Sequence, residues 1–134
     1  MEDHLRQFVR HRAEEQCEYC RLPQAGHDER FSVDHVRPVK HGGEDSYANL
    51  AFSCLRCNLC KGTNLSGVDP DNGQVVLLFN PRIQIWHEHF AWNGPLIVGR
   101  TSQGRASVWV FRMNAPERIR LRQSLIDEGI LITG

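Results

Sequence analysis

Four cysteines fall into two Cys-x-x-Cys pairs, Cys17 with Cys20 and Cys54 with Cys57. This spacing is typical of a four-thiolate zinc site, in which each pair forms a tight knuckle and four sulfur ligands complete a tetrahedron. Because such a site leaves no coordination position open, we expect the Zn²⁺ to stabilise the fold. Any catalytic groups must then be the oxygen and nitrogen side chains between and beside the thiols.

An adjacent acid and imidazole, Asp34 and His35, end a short alternating segment between the cysteine pairs. In phosphodiester hydrolysis, a neutral imidazole can take the proton from water, and a divalent cation can stabilise the developing charge. Strand alternation points the two side chains to opposite sides, so we expect them to have different roles. An Asp-His pair by itself more often lies in a solvated turn without a function. Whether this pair is catalytic therefore depends on the motif that surrounds it.

The order of these elements between Cys17 and Lys61 resembles the HNH endonuclease family. The shared pattern is Cys-x2-Cys, Asp-His, Pro, Gly-Gly, Asn-Leu, and Cys-x2-Cys-Asn-x2-Lys. The resemblance implies an α+β fold with a ββα-metal core, and metal-dependent hydrolysis of DNA phosphodiester bonds. The third signature position is usually histidine and is Asn58 here, whose amide oxygen can still ligate a hard cation.

The resemblance also implies roles for individual side chains. His35 would be the general base, and Asp34 with Asn58 would hold the catalytic Mg²⁺ or Mn²⁺. Asn49 would tie down the loop that orients His35. Lys61 would contact backbone phosphate, or else be a cation at a helix end that the helix dipole favours.

Two further groups could bind metal. Cys57 and Cys60 are also separated by two residues, but the family register pairs Cys57 with Cys54 and leaves Cys60 as a free thiol. His87 and His89 would share a face of a predicted strand, yet no further ligand for a second site can be identified. We interpret that segment as an aromatic strand that packs the two layers together.

The 134 residues predict a single domain in three parts. Residues 1–16 form an amphipathic helix, which Asp3 can cap and which ends near Gln16. Residues 17–64 form the zinc and ββα-metal core. Residues 74–134 form an antiparallel sheet followed by a C-terminal helix.

Apolar runs and turn signals predict the elements of the appended part. A buried strand is expected at Val75–Phe79 and another over residues 83–87. Leu96–Val98 and Ala106–Phe111 are expected to pair through a glycine-bearing turn. The closing helix should begin with Asn114 as its N-cap and end at Gly129.

Charge gives a limited indication of how DNA is held. The formal net charge is zero, but no carboxylate lies between Glu88 and Glu117. We hypothesise that Arg100, Arg105 and Arg112 in that window form a surface that contacts phosphates. The alternative is that these arginines pair with carboxylates from elsewhere in the fold, since closeness in sequence does not establish closeness in space.

Other features limit the compartment and the class of protein. No signal peptide or membrane-spanning run is evident, and paired cysteines favour metal binding in a reducing cytoplasm. A non-catalytic, zinc-stabilised nucleic-acid-binding module is the main alternative function, although it would need none of Asp34, His35, Asn49 and Asn58. A redox protein built on Cys-x-x-Cys is disfavoured because a thioredoxin-like βαβ pattern is lacking.

Overall fold

The computed structural model describes all residues from 1 to 134. Five α-helices, two short 3₁₀ helices (Val39–His41 and Tyr47–Asn49) and six strands form a mixed α+β structure with three separate two-stranded antiparallel sheets. The helices are α1 (Asp3–Arg12), α2 (Leu55–Lys61), α3 (Trp86–His89), α4 (Ser102–Val110) and α5 (Pro116–Asp127). The strands are β1 (Phe31–His35), β2 (Leu50–Cys54), β3 (Ser66–Val68), β4 (Val75–Leu77), β5 (Phe90–Asn93) and β6 (Leu96–Gly99).

The β1–β2 hairpin followed directly by α2 is the predicted ββα unit. The two strands pair in register from Phe31 opposite Cys54 to His35 opposite Leu50. Every residue of β2 is buried, so this strand is fixed on both faces. The register therefore places Asp34 and His35 at the end of β1 on a strand that cannot slip without exposing apolar side chains.

The main hydrophobic core joins the first cysteine knuckle to the C-terminal half of the chain. Tyr19 stacks on Phe111 with ring centroids 4.8 Å apart. The buried Trp86 donates from Nε1 to the Tyr19 carbonyl at 2.9 Å and packs against Phe90. Residues beyond the ββα unit thus complete its core.

Helix α1 forms as predicted but is shorter. It ends at Arg12 rather than at Gln16, because Glu14 and Glu15 both adopt left-handed backbone conformations with φ of 55° and 57°. The expected cap is also wrong: Glu2 is the N-cap residue, without a side-chain hydrogen bond. A second, smaller apolar cluster forms where α1 buries Val9 against β2.

The strand predicted at Ala106–Phe111 is wrong, because these residues belong largely to helix α4. Thr101 caps this helix by accepting a hydrogen bond from the Gly104 amide at 3.0 Å. A Cβ atom on Gly104 would lie 2.1 Å from the His89 carbonyl oxygen, so only glycine permits this helix to pack so closely. The apolar residues that suggested a strand include the β-branched Val108 and Val110, but tertiary packing overrides that propensity.

The appended sheet consists of two ribbons. Strand β4 covers only Val75–Leu77 of the strand expected at Val75–Phe79, and it pairs with β3. Val75 and Leu77 are exposed, so the expectation of a buried strand is wrong. No strand forms over residues 83–87, because residues 81–83 form a turn and Trp86 and His87 belong to α3. Leu96–Gly99 is also a strand, but its partner is β5 and not the segment at 106–111. Small antiparallel sheets are therefore confirmed, with different pairing.

The C-terminal helix is confirmed, with a different cap. Helix α5 begins at Pro116 and ends before Gly129, whose φ is 74°. Asn114 does not cap it; its amide accepts from the Ile97 amide at 3.0 Å and donates to the Ile97 carbonyl at 2.8 Å. Asn114 thus binds α5 to β6, a long-range role that the local cap motif did not indicate.

Candidate active site and zinc centre

The four predicted zinc ligands converge. The sulfur atoms of Cys17, Cys20, Cys54 and Cys57 all lie within 4.8 Å of one another, and all four side chains are fully buried. Hydrogen bonds among the thiols hold the pKa of Cys20 well below its ordinary value. This arrangement fits a closed tetrahedral zinc site. Cys60 lies outside the cluster and is half-buried.

Helix formation helps to place the second thiol pair. Cys54 is the N-cap residue of α2, and its sulfur accepts a hydrogen bond from the Cys57 amide at 3.4 Å. Residues of the second knuckle are therefore preorganised by the β2–α2 junction. The same junction directs Asn58 and Lys61, on the following helical turn, towards β1.

Sequence reasoning missed the contribution of Arg118 to this centre. Its guanidinium NH2 donates to Cys57 Sγ at 3.1 Å and to Cys54 Sγ at 3.6 Å. Burial alone would lower the pKa of Arg118, but the neighbouring thiolates raise it above its ordinary value. No local motif could have indicated this contact, because Arg118 follows Cys57 by 61 residues.

Asp34 lies in a buried polar network. The Tyr19 hydroxyl donates to Asp34 Oδ2 at 2.6 Å, and Lys61 Nζ lies 3.1 Å from the same oxygen. Lys61 also donates to the His35 carbonyl at 2.8 Å. Burial raises the pKa of Asp34, although Lys61 and Tyr19 oppose the increase.

The structure does not support Lys61 as a phosphate contact. Its side chain is only 2% exposed, and its ammonium is engaged by Asp34 and by a backbone carbonyl. Lys61 is the last residue of α2, which agrees with the alternative of a cation at a helix end, although its side chain is buried. A buried ammonium needs such partners, because leaving it unpaired away from water is costly.

His35 is positioned by a residue that sequence reasoning also missed. Its Nε2 lies 2.5 Å from Asp45 Oδ1, and the His35 side chain remains 24% exposed. The hydrogen bond with His35 lowers the pKa of Asp45, so Asp45 is ionised at neutral pH. Asp34 and His35 thus occupy different environments, one buried and one open, as strand alternation indicated.

Asn49 holds the loop between β1 and β2. Its amide oxygen accepts from the Arg37 amide at 2.8 Å, while its nitrogen donates to the Arg37 carbonyl at 3.0 Å and the Glu44 carbonyl at 2.9 Å. Gly43 is required there, since a Cβ atom would lie 1.7 Å from the Arg37 carbonyl oxygen. The segment that carries Asp45 is therefore fastened to the end of β1.

The donors expected to hold a catalytic cation fit a hard metal in their chemistry. Asp34 offers a carboxylate, and Asn58 donates from Nδ2 to Ser32 Oγ at 2.9 Å, leaving its amide oxygen without a hydrogen-bond partner. No hydrogen bond joins Asp34 to Asn58. The Lys61 ammonium already contacts Asp34, so a cation and this ammonium would compete for one carboxylate.

The structure contradicts the proposed phosphate-contacting surface at Arg105. Its guanidinium binds Asp69, with the shortest contact at 2.8 Å, and Asp71 at 3.1 Å. The segment is also a helix rather than a ribbon. Arg100 remains exposed and donates to the His87 carbonyl at 2.6 Å. The alternative stated from sequence, pairing with distant carboxylates, is correct for Arg105.

His87 and His89 do not form a second metal site. His89 Nδ1 lies 2.8 Å from the Thr101 hydroxyl, and His89 packs against Phe79. His87 lies in the short helix α3 and is exposed, and neither histidine belongs to a group of potential ligands. His89 holds α3 against the N-cap residue of α4, which agrees with a packing role, but the segment is a helix and not the predicted aromatic strand.

Comparison with known proteins addresses the segment that carries the zinc centre and His35. Residues 17–64 match the family model of the HNH endonuclease. The HNH resemblance is confirmed over this segment. We call residues 17–64 the HNH segment. It contains both cysteine pairs, His35, Asp45, Asn49 and Asn58.

One curated relative extends the similarity beyond the HNH segment. The chain is 26% identical over 124 residues to the Septu protein PtuB of Bacillus thuringiensis, which covers 87% of this chain. The chain spans 44% of the length of that protein. No solved structure matches the chain. None of its helices is long and apolar enough to cross a membrane.

Proposed function

We propose that this protein is a metal-dependent endonuclease that hydrolyses DNA phosphodiester bonds with His35 as the general base. The observation that carries the proposal is the partly exposed imidazole at the end of β1, hydrogen-bonded to an ionised Asp45 within the HNH segment. An imidazole held in this way can act as a general base that takes a proton from water.

Asp45 determines which nitrogen of His35 can act. When Nε2 donates its proton to Asp45, Nδ1 carries the free lone pair and is the atom that accepts a proton from water. The carboxylate then stabilises the imidazolium that forms. Asn49 supports this pair indirectly, because it fastens the loop that carries Asp45.

Asp34 and Asn58 would hold the divalent cation, Mg²⁺ or Mn²⁺, through one carboxylate and one amide oxygen. When bound, such a cation stabilises the negative charge that develops on the phosphoryl and leaving oxygens. Asp34 is kept in place by the Tyr19 hydroxyl, which belongs to the first cysteine knuckle. The structural zinc centre would therefore also orient a residue of the catalytic site.

Two basic side chains support a nucleic-acid substrate beside His35. Arg37 and Lys40 follow it closely, are exposed, and take part in no ion pair or side-chain hydrogen bond. Free cations of this kind suit phosphate oxygens better than the paired Arg105 does. We place the DNA backbone across this loop in preference to the surface of α4.

The test is cleavage of supercoiled plasmid with a panel of divalent cations. Wild-type protein should nick or linearise the plasmid with Mg²⁺ or Mn²⁺ and stop when EDTA removes the added cation under conditions that spare the zinc. His35→Ala should retain DNA binding and zinc but lose about 10²–10⁴-fold in rate. Cleavage by His35→Ala at the wild-type rate would refute the assignment, and binding without any cleavage would favour the non-catalytic module.

A further inference from the structure

A buried arginine outside the HNH segment is directed at the zinc ligands. Arg118 lies on α5 and is 6% exposed. One of its terminal nitrogens donates to the sulfurs of Cys57 and Cys54, at 3.1 Å and 3.6 Å. The other donates to the Phe111 carbonyl at 2.7 Å. One side chain thus joins the second thiol pair to the end of α4.

No carboxylate pairs with the Arg118 guanidinium. Arg118 takes part in no ion pair with Asp or Glu, and the neighbouring Glu117 is 3.5 Å from Arg56 instead. Four thiolates around Zn²⁺ leave a double negative charge, and all four cysteines are fully buried. A buried anion of this kind is stable only where opposite charge and hydrogen-bond donors surround it.

We propose that Arg118 is a functional part of the zinc centre, where it strengthens zinc retention by donating to the thiolates of Cys54 and Cys57. Hydrogen bonds that support metal ligands typically change metal affinity by about 10–100-fold. The coupling is reciprocal, because whatever Arg118 adds to zinc binding, zinc adds to the docking of α5. The metal site is therefore completed by a helix that the family match does not include.

The chain provides a matched control one helical turn later. Arg122 is also buried, at 1% exposed, and it donates to the Pro95 carbonyl at 2.6 Å and the Met113 carbonyl at 2.7 Å. It donates no hydrogen bond to a sulfur atom. Replacing Arg122 should therefore weaken the packing of α5 without directly weakening the thiolate ligands.

The experiment measures zinc release from the full chain, purified in its zinc-bound form. Protein is mixed with a chromogenic zinc chelator, and the fraction released is followed at increasing chelator concentration for wild type, Arg118→Met, Arg118→Lys and Arg122→Met. Circular dichroism before chelation checks that each variant is folded. Zinc retention is measured without nucleic acid, so its outcome is independent of whether the protein cleaves DNA.

Arg118→Met should raise the apparent zinc dissociation constant by about 10–100-fold, with a smaller increase for Arg118→Lys, which keeps the charge but not the forked donors. Arg122→Met should stay within about threefold of wild type. Wild-type retention by Arg118→Met, or equal loss in Arg118→Met and Arg122→Met, would overturn the proposal. If Arg118→Met does not fold, Arg118→Lys decides: faster release than in Arg122→Met supports the proposal, and unchanged release refutes it.

Discussion

Replacing Lys61 by methionine should destabilise the protein, because it removes one partner of a buried ion pair. Lys61 and Asp34 are 2% and 6% exposed, with Nζ 3.1 Å from Oδ2. Breaking such a pair costs about 3–5 kcal/mol, because the remaining charge is left without compensation. We expect a loss near the lower end of that range, since the Tyr19 hydroxyl still donates to Asp34 and methionine keeps much of the lysine volume.

The loss can be measured by urea unfolding of the zinc-loaded protein, with the other lysine of the chain as control. Lys40 is exposed and has no partner, so Lys40→Met should change the free energy of unfolding by no more than about 0.5 kcal/mol. If Lys61→Met unfolds at the same urea concentration as Lys40→Met, the Asp34–Lys61 pair does not stabilise the fold and the reasoning is refuted.

Added Mg²⁺ extends the same test to the catalytic cation. Without the Lys61 ammonium, Asp34 is free to bind a divalent cation, and a ligand that binds only the folded state stabilises it. Mg²⁺ should therefore stabilise Lys61→Met more than it stabilises wild type. An equal stabilisation of the two proteins would mean that Lys61 does not compete with the cation, and no stabilisation of either would mean that the cation does not bind at Asp34.

Three further outcomes test the remaining assignments. Cys54→Ser should lose zinc and most of its folded structure, whereas Cys60→Ser should keep both; equal zinc loss, measured by metal analysis, would contradict the assigned ligands. Asp45→Asn should lower kcat for plasmid cleavage by about 10-fold, a smaller loss than that caused by removing the general base itself. Asp45→Glu should recover part of the rate, whereas an unchanged kcat in Asp45→Asn would show that Asp45 has no role in the mechanism. Arg37→Ala should lower the salt slope of DNA binding by about 0.9; if Arg100→Ala lowers it and Arg37→Ala does not, the DNA lies beside β6.

Much of the HNH segment could be predicted from sequence because its signals are local. Two residues between cysteines force a knuckle, and strand alternation separates Asp34 from His35 whatever surrounds them. Helix α5 was also predictable in extent, since proline begins and glycine ends a helix through its own backbone geometry. Helix α1 was predictable in position but not in its end at Arg12. The α+β class follows from these elements.

Predictions from strand propensity were wrong where tertiary packing favoured a different structure. The segment Ala106–Phe111 alternates like a strand, but it is a helix because Thr101 caps it and Gly104 allows it to lie against the His89 carbonyl. The predicted hairpin does not form, and Leu96–Gly99 pairs with β5 instead. Neither the cap nor the approach distance is visible in the apolar pattern.

For the charged side chains too, some features were predictable from sequence and others depended on the tertiary structure. The sequence alone predicted that a four-cysteine cluster and an Asp-His pair would lie close together, since both follow from spacing along one short segment. Only the tertiary structure decided the partners: Lys61 is buried with Asp34, Arg105 is neutralised by Asp69, and Arg118 reaches the thiolates. Ion pairing depends on distance in space and on exclusion of water, and residues far apart in the chain meet those conditions only once the core has packed.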